Sequence, residues 1–364
     1  MTYSHNQIAV IGGGIIGLLV AHSLVERGEQ VCLIEKGEIG RESSWAGGGI
    51  LSPLYPWRYP DAVNHLALWS QDYYREFCAG LGSRTGVDPQ WRRTGLLVAG
   101  DPGPMFSGWA KKFGGDSAVV DAQAVAALSP RLLSIEGSSV WMPHIAQVRN
   151  PRLLSALRKE LEQRGCRFLV GTEAQALQFD AGRARGVETS RGVVPVSRVV
   201  IAMGAWTGRF MESLGLTVPV KPVRGQMILF RGEPGWLNTM VLKESRYLIP
   251  RADGRILAGS TLEDVGFDKS TTEDALVELR DAAIDMVPGL AGMPVETQWA
   301  GLRPGSPDGV PVISRLKGVE NVVVCSGHYR NGFVLGPASA RLAVELLLGE
   351  APSVDVMPYH LDRV

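Results

Sequence analysis

The chain opens on two short apolar runs that bracket a glycine cluster. Gln7 to Ile11 is apolar after its first residue, as a strand buried on both faces of a parallel sheet must be. Gly12, Gly13, Gly14 and Gly17 follow, and from Ile15 to Arg27 apolar residues recur at helical spacing until Gly28 stops the helix. Val31 to Ile34 is a second apolar run, ending at Glu35. Strand, tight turn, helix and strand in this order predict the first unit of a parallel dinucleotide-binding sheet.

Arg198 to Ala202, followed by Gly204, is another buried-strand pattern ending in a glycine turn. Val322 to Cys325 is a third, and it runs into Ser326-Gly327-His328-Tyr329-Arg330-Asn331-Gly332. An apolar helix is expected beyond, from Ala338 to Leu348, closed by Gly349. Between these segments the texture changes. Arg246 to Arg251 and Arg255 to Ala258 flank the turn pair Asp253-Gly254, a hairpin signal. Val223 to Phe230 and Gly95 to Ala99 also have strand character. Thr272 to Met286 has helical periodicity, with Thr271 and Asp274 as a capping pair and Pro288 beyond its end. This alternation of strand types predicts two domains, the second inserted in pieces into the first.

Composition narrows the partners. With 364 residues, 45% of them hydrophobic, the chain exceeds the length at which single cores usually divide. Lys plus Arg equals Asp plus Glu at 37 each, so no overall field draws it to nucleic acid or to an anionic membrane, and a small molecule is the expected partner. Cys32, Cys78, Cys166 and Cys325 match no metal or CxxC spacing and suit free thiols in a reducing cytoplasm. His5, His22, His65, His144 and His360 show no ligand or triad spacing and are expected to be structural or on the surface. Neither a metal site nor a membrane span is expected, and Met1 to Gln7 lacks the basic-then-apolar order of a secretory signal. Composition leaves a homo-oligomer open.

Gly12-x-Gly14-x-x-Gly17 has the spacing of a phosphate-binding turn. Gly12 permits the sharp turn, Gly14 lets backbone approach a pyrophosphate, and Gly17 lets helix and strand pack closely. Glu35, eighteen residues after Gly17, ends the next strand where a carboxylate can accept hydrogen bonds from ribose hydroxyls. Ser43-Ser44-Trp45-Ala46-Gly47-Gly48-Gly49-Ile50 offers two hydroxyls and bare backbone that a flat ring system could approach, although the same composition suits a plain surface loop.

Taken together, Ile8 to Glu35, Ser43 to Leu51, Val199 to Trp206, Ala300-Gly301-Leu302-Arg303-Pro304-Gly305 and Gly327 to Pro337 resemble the D-amino-acid oxidase superfamily of flavoproteins, and within it the bacterial glycine oxidases that feed thiamin thiazole synthesis. The resemblance implies an α/β fold: a Rossmann-like FAD-binding domain with an inserted antiparallel-sheet substrate domain, and FAD held noncovalently. It divides the chain into residues 1–90, 145–220 and 296–364 for FAD, and 91–144 and 221–295 for substrate.

Carried over by motif, Ile15, Ile16, Glu35 and Lys36 look like contacts to the adenosine diphosphate half of FAD, with Ala174 touching adenine through its backbone. Ser43, Ser44, Gly48, Gly49 and Ile50 look like contacts to pyrophosphate and flavin, and His328, Tyr329, Arg330, Asn331, Gly332, Phe333 and Val334 resemble the loop along the flavin's pyrimidine edge. Arg303 is similar to an arginine that grips the substrate carboxylate, for which the planar guanidinium is a two-bond match. Tyr247 resembles a phenol that donates to the same carboxylate, and Arg330 a further substrate contact. By residue type alone, Arg303 also suits a surface position beside a turn, and Tyr247 cross-strand packing.

The implied reaction removes hydride from the Cα of glycine, sarcosine, D-proline or a small D-amino acid. The resulting imine hydrolyses to a 2-oxo acid and ammonia, and oxygen becomes hydrogen peroxide. No side chain need act as base if the substrate binds as a neutral amine. Two departures bear on the pocket: Ser245 stands where a histidine is found in such enzymes, and Leu262 where a methionine is expected. A dehydrogenase with a different electron acceptor and a non-catalytic flavin-binding subunit remain the rival readings.

Overall fold

The structure is a computed structural model that describes residues 6–132 and 137–363. His5 and most of the amino-terminal segment lie outside the described residues.

Two large sheets organise the chain. The first has six strands in the order Val312–Leu316, Val319–Ser326, Arg198–Ile201, Ile8–Ile11, Val31–Glu35 and Arg167–Val170. All neighbours are parallel except the edge strand Val312–Leu316, which is antiparallel to Val319–Ser326. Helices cover one face and the strands Ala174–Asp180, Arg183–Thr189 and Gly192–Pro195 pack on the other, which is why these strands are apolar without alternation: Ile8 and Val10 enter one core, Ala9 and Ile11 the other. The helices Ile15–Glu26, Asp61–Thr85 and Gly332–Leu348 pack together on the first of these faces.

The second sheet has eight strands in the order Val295–Gly305, Lys221–Phe230, Ile256–Gly259, Arg246–Pro250, Met240–Lys243, Leu96–Ala99, Ser139–Met142 and Ala118–Val120. Its one parallel pairing joins Met240–Lys243 to Leu96–Ala99. The strand Val295–Gly305 pairs with Lys221–Phe230 along its length, so it belongs to this sheet although the sequence division placed residues from 296 onward with the FAD-binding part. The cause is cross-strand pairing, which no local pattern announces. A separate three-stranded sheet spans Ala174–Asp180, Arg183–Thr189 and Gly192–Pro195.

Two helix ends differ from expectation. The helix Glu273–Met286 is capped by Thr272, whose side chain accepts from Ala275 N at 3.3 Å, and not by Thr271. The last helix begins at Gly332, six residues before Ala338, and carries Pro337 inside it. A proline there removes the donor that would satisfy the Phe333 carbonyl. The Tyr74 hydroxyl replaces it, donating to Phe333 O at 2.7 Å, and Ser70 Oγ accepts from Ala338 N at 3.1 Å. Two polar groups on the helix Asp61–Thr85 thus carry the second helix through its proline. Among the described residues no helix is long and apolar enough to cross a membrane.

Candidate active site

The glycine turn lies at the carboxyl end of Ile8–Ile11, between strands entering from both sides, the position where open parallel sheets receive ligands. Each glycine there answers a different constraint. Gly12 has φ +108°, and a Cβ on it would stand 2.3 Å from the Ala202 carbonyl oxygen. A Cβ on Gly17 would stand 1.9 Å from the Gly12 carbonyl oxygen, so Gly17 seats the helix on the turn and does not line the cavity. A Cβ on Gly14 would meet only Ser44 Oγ, at 3.1 Å.

Glu35 braces the turn: its Oε2 accepts from Gly13 N at 2.7 Å and its Oε1 from Gly37 N at 2.8 Å. Ser44 Oγ accepts from Ile15 N at 2.8 Å, bringing the short helix Ser43–Ala46 against the first turn of Ile15–Glu26. The N-cap of that longer helix, Gly14, has no side chain to cap it and the first turn holds no acid, so apart from the Ser44 hydroxyl the positive end of its dipole faces the crevice without a compensating charge.

A long crevice passes this turn. One end, about 1170 Å³, is lined by Glu35, Lys36, Ala174, Trp206 and Arg209 among others, with Lys36 Nζ 4.0 Å from the Trp206 ring centroid. The other end, about 1090 Å³, is lined by Ile15, Ile16, Gly47, Gly48, Gly49, Ile50, Met227, Tyr247, Arg303, His328, Tyr329, Arg330, Gly332 and Phe333. Gly14, Ser43, Ser44, Ala202 and Gly204 line both ends, so the two are one continuous trough. Asn331 and Val334 stand off its wall: Val334 is in the helical core, and Asn331 is buried with both amide atoms unpartnered.

The second end faces the eight-stranded sheet. Alternation along the strands turns Gly225, Met227, Gly301 and Arg303 toward the cavity, with Met227 and Tyr247 both opposite Gly259 on adjacent strands. Arg303 is half-buried. Its Nη1 donates to Arg224 O at 3.2 Å and to Thr261 O at 3.1 Å, and its Nη2 to Ser260 Oγ at 2.6 Å. These acceptors are all neutral, and among the described residues no carboxylate forms an ion pair with it. Burial pushes its pKa down; Tyr247 works against that, and the Arg330 charge adds to it. A desolvated cation held only by neutral groups keeps its charge for an incoming anion.

The Tyr247 hydroxyl donates to Met227 Sδ at 3.3 Å, and Arg330 Nη2 lies 3.5 Å from the Ser245 carbonyl oxygen. Ser245 therefore enters the site through its backbone. Leu262 faces solvent, 43% exposed, and Met227 is the methionine on the cavity wall. His328 is buried with Nε2 unpartnered, and burial pushes its pKa down to about 3, so it is neutral.

Residues the motifs did not single out also shape the wall. Arg251 is buried, donating to Gln147 Oε1 at 2.8 Å, Val148 O at 3.1 Å and Gly48 O at 2.7 Å, and burial pushes its pKa down to about 10. It fixes the glycine loop from behind. Gly225 and Met227 were visible only as a glycine inside a strand, a signal of close approach that could have been used.

The trough suits a dinucleotide carrying a flat ring. Its middle is bare backbone at a helix N-terminus, and His328, whose Nε2 is unpartnered, lines its ring end. Geometry thus gives a dinucleotide-shaped trough with an arginine, Arg303, on the wall of its ring end. The family described as FAD dependent oxidoreductase matches residues 7–346, and the chain belongs to it. The chain is 46% identical over 357 residues to a glycine oxidase of Pseudomonas putida, covering 97% of both chains. It is 30% identical to a bifunctional protein ThiO/ThiG of Synechocystis, covering 96% of this chain and 52% of that one. The structure superposes on glycine oxidase of Geobacillus kaustophilus with a TM-score of 0.91, at 26% identity and 98% coverage of each chain.

Proposed function

We propose that the protein is an FAD-dependent oxidase of glycine and closely related small amino acids. The observation that carries this is Arg303, a desolvated guanidinium on the cavity wall whose partners are all neutral. The likeness to glycine oxidases supports the substrate class.

Gly12, Gly14, Ile15, Ile16, Ser43 and Ser44 would hold the pyrophosphate, with Glu35, Lys36 and Ala174 at the adenosine end. Gly48, Gly49, Ile50, His328, Tyr329, Arg330, Gly332 and Phe333 would hold the ring. FAD held there would supply the hydride acceptor for the substrate Cα and the route by which oxygen is reduced to hydrogen peroxide. The protein's own part is positioning. Arg303 takes the carboxylate as a planar fork, and Tyr247, freed from the weak acceptor Met227 Sδ, donates to the same group. Arg330 adds positive potential at the rim. Among the described residues no carboxylate or titrating imidazole lines this end, so the substrate would reach the reactive state by losing its own ammonium proton. The imine product hydrolyses to a 2-oxo acid and ammonia. Residues 91–144 and 221–305 form the substrate domain, and the remainder the FAD domain.

Anaerobic mixing of the yellow holoenzyme with small amino acids, followed by oxygen-electrode turnover, tests cofactor, reaction and acceptor together. Glycine is expected to bleach the flavin bands and to consume oxygen; bleaching without oxygen uptake points to another acceptor. Arg303→Ala is expected to keep FAD and to lose about 2 to 5 kcal/mol of transition-state stabilisation for glycine. Simple amines should lose far less. Equal losses for both substrate types would remove the clamp assignment.

A further inference from the structure

Arg303 is gripped by carbonyls whose positions are set from the far side of the sheet. Alternation that turns Gly225, Met227 and Arg303 to the cavity turns Arg224, Gln226 and Gln298 to the opposite face, against the helix Glu273–Met286. Glu263 stands at the centre of that reverse face. Its Oε2 accepts from Arg224 Nε at 3.1 Å and Nη2 at 2.5 Å, and its Oε1 from Gln226 Nε2 at 3.0 Å and from the Thr261 hydroxyl at 2.5 Å. Its backbone pairs with Arg224 in both directions, N to O at 3.0 and 2.9 Å.

Arg224 and Thr261 are the two residues whose carbonyls receive Arg303 Nη1. We infer that Glu263 is the positioning residue for the Arg303 guanidinium, acting through the carbonyls of Arg224 and Thr261; this rests on Arg303 being the carboxylate clamp. The placement of the charge also has a logic. A carboxylate facing Arg303 would neutralise the clamp, whereas Glu263 pairs with Arg224 and acts on the acceptors alone. Gln226 locks the arrangement, since its N–H donates to Thr261 Oγ1 at 2.9 Å and its Oε1 accepts from Thr272 N at 2.9 Å and Gln298 Nε2 at 3.1 Å. Burial alone would raise the Glu263 pKa, but the bonds from Thr261, Arg224 and Gln226 hold it below its ordinary value, so it is charged at neutral pH.

The test is a double-mutant cycle on the holoenzyme. Glu263→Gln keeps the volume and one acceptor oxygen but deletes one of the two carboxylate charges paired with Arg224, the other being Asp268. FAD content is expected to be unchanged, while the KM for glycine and the Kd for acetate, read from the flavin spectrum, rise about tenfold with kcat within about threefold. Added to Arg303→Ala, the same change should alter glycine kcat/KM by less than about twofold, because its effect passes through Arg303. Thr261→Val, which removes the hydroxyl bonded to Glu263, carries the same expectations if Glu263→Gln does not accumulate. Acetate binding within about twofold of the parent, or losses that multiply in the double variant, make Glu263 a purely structural acid and overturn the inference. A loss of less than about threefold in Arg303→Ala itself is a different result, which removes the clamp and this inference with it.

Discussion

Gly225 lies directly beneath the Arg303 guanidinium: a Cβ on Gly225 would stand 2.0 Å from both Nη1 and Nη2. The strand Lys221–Phe230 must therefore carry no side chain at this point for Arg303 to fold across it and reach Arg224 O. Gly225→Ala should push the guanidinium out of place without touching the dinucleotide trough's middle. A displacement of about 1 Å in a positioning group costs as much as 100-fold, so glycine kcat/KM should fall by roughly 10- to 100-fold with FAD content intact. Steady-state kinetics and flavin absorbance check it, and activity within threefold of the parent would show that the guanidinium has room to shift.

Gly14 and Gly17 of the turn should fail differently. Gly14 faces the trough and caps the helix, so Gly14→Ala is expected to cost the apoprotein about 1 kcal/mol at the N-cap while raising the Kd for FAD at least about tenfold. Gly17→Ala puts a Cβ into the Gly12 carbonyl and should lower the melting temperature of the apoprotein itself. FAD released by acid from the parent protein should leave no flavin on the polypeptide, because the four cysteines are buried thiols. If Gly14→Ala retains FAD at parental affinity, the phosphates lie elsewhere.

His328 ties stability to pH. Its folded pKa is pushed down to about 3 by burial, below its ordinary value near 6.5, so the unfolded chain takes up a proton first as pH falls. The contribution of His328 is fully present above about pH 6.5 and is lost progressively between there and about pH 3. His328→Gln should flatten that acid limb in denaturant titrations of the apoprotein at several pH values. An unchanged slope between pH 6 and 4 would mean that the imidazole is protonated in the folded state.

Arg251 holds the glycine loop with three bonds to neutral acceptors, Gln147, Val148 and Gly48. A lysine cannot make this fork, so Arg251→Lys should cost about 2 to 3 kcal/mol in folding and weaken FAD, with both deficits tracing to the freed Gly48 carbonyl. Thermal unfolding of apo and holo forms measures them. Full FAD affinity in a destabilised variant would confine Arg251 to the scaffold.

Much of this molecule was written in local pattern. The apolar run Ile8–Ile11, the glycine turn, the helix Ile15–Glu26 and Glu35 lie within a single stretch of chain, where backbone sterics and helical period determine the outcome over short range. The hairpin of Arg246–Pro250 and Ile256–Gly259 was legible for the same reason. The start of the last helix was not, because Pro337 is tolerated only through Tyr74 and Ser70, more than two hundred residues away in the chain.

The sequence by itself determined that a dinucleotide turn exists, that an antiparallel sheet interrupts a parallel one, and that Arg303 and Tyr247 belong to motifs worth placing. Only the tertiary structure decided what Arg303 faces, that Gly225 clears its path, that Met227 and not position 262 lines the wall, and that Arg251 stands behind the glycine loop and Glu263 behind the carbonyls that Arg303 bonds. The physical reason is range. Dihedral preferences and hydrophobic period act between neighbours in sequence, whereas the environment of the Arg303 guanidinium is set by partners from strands brought together by folding.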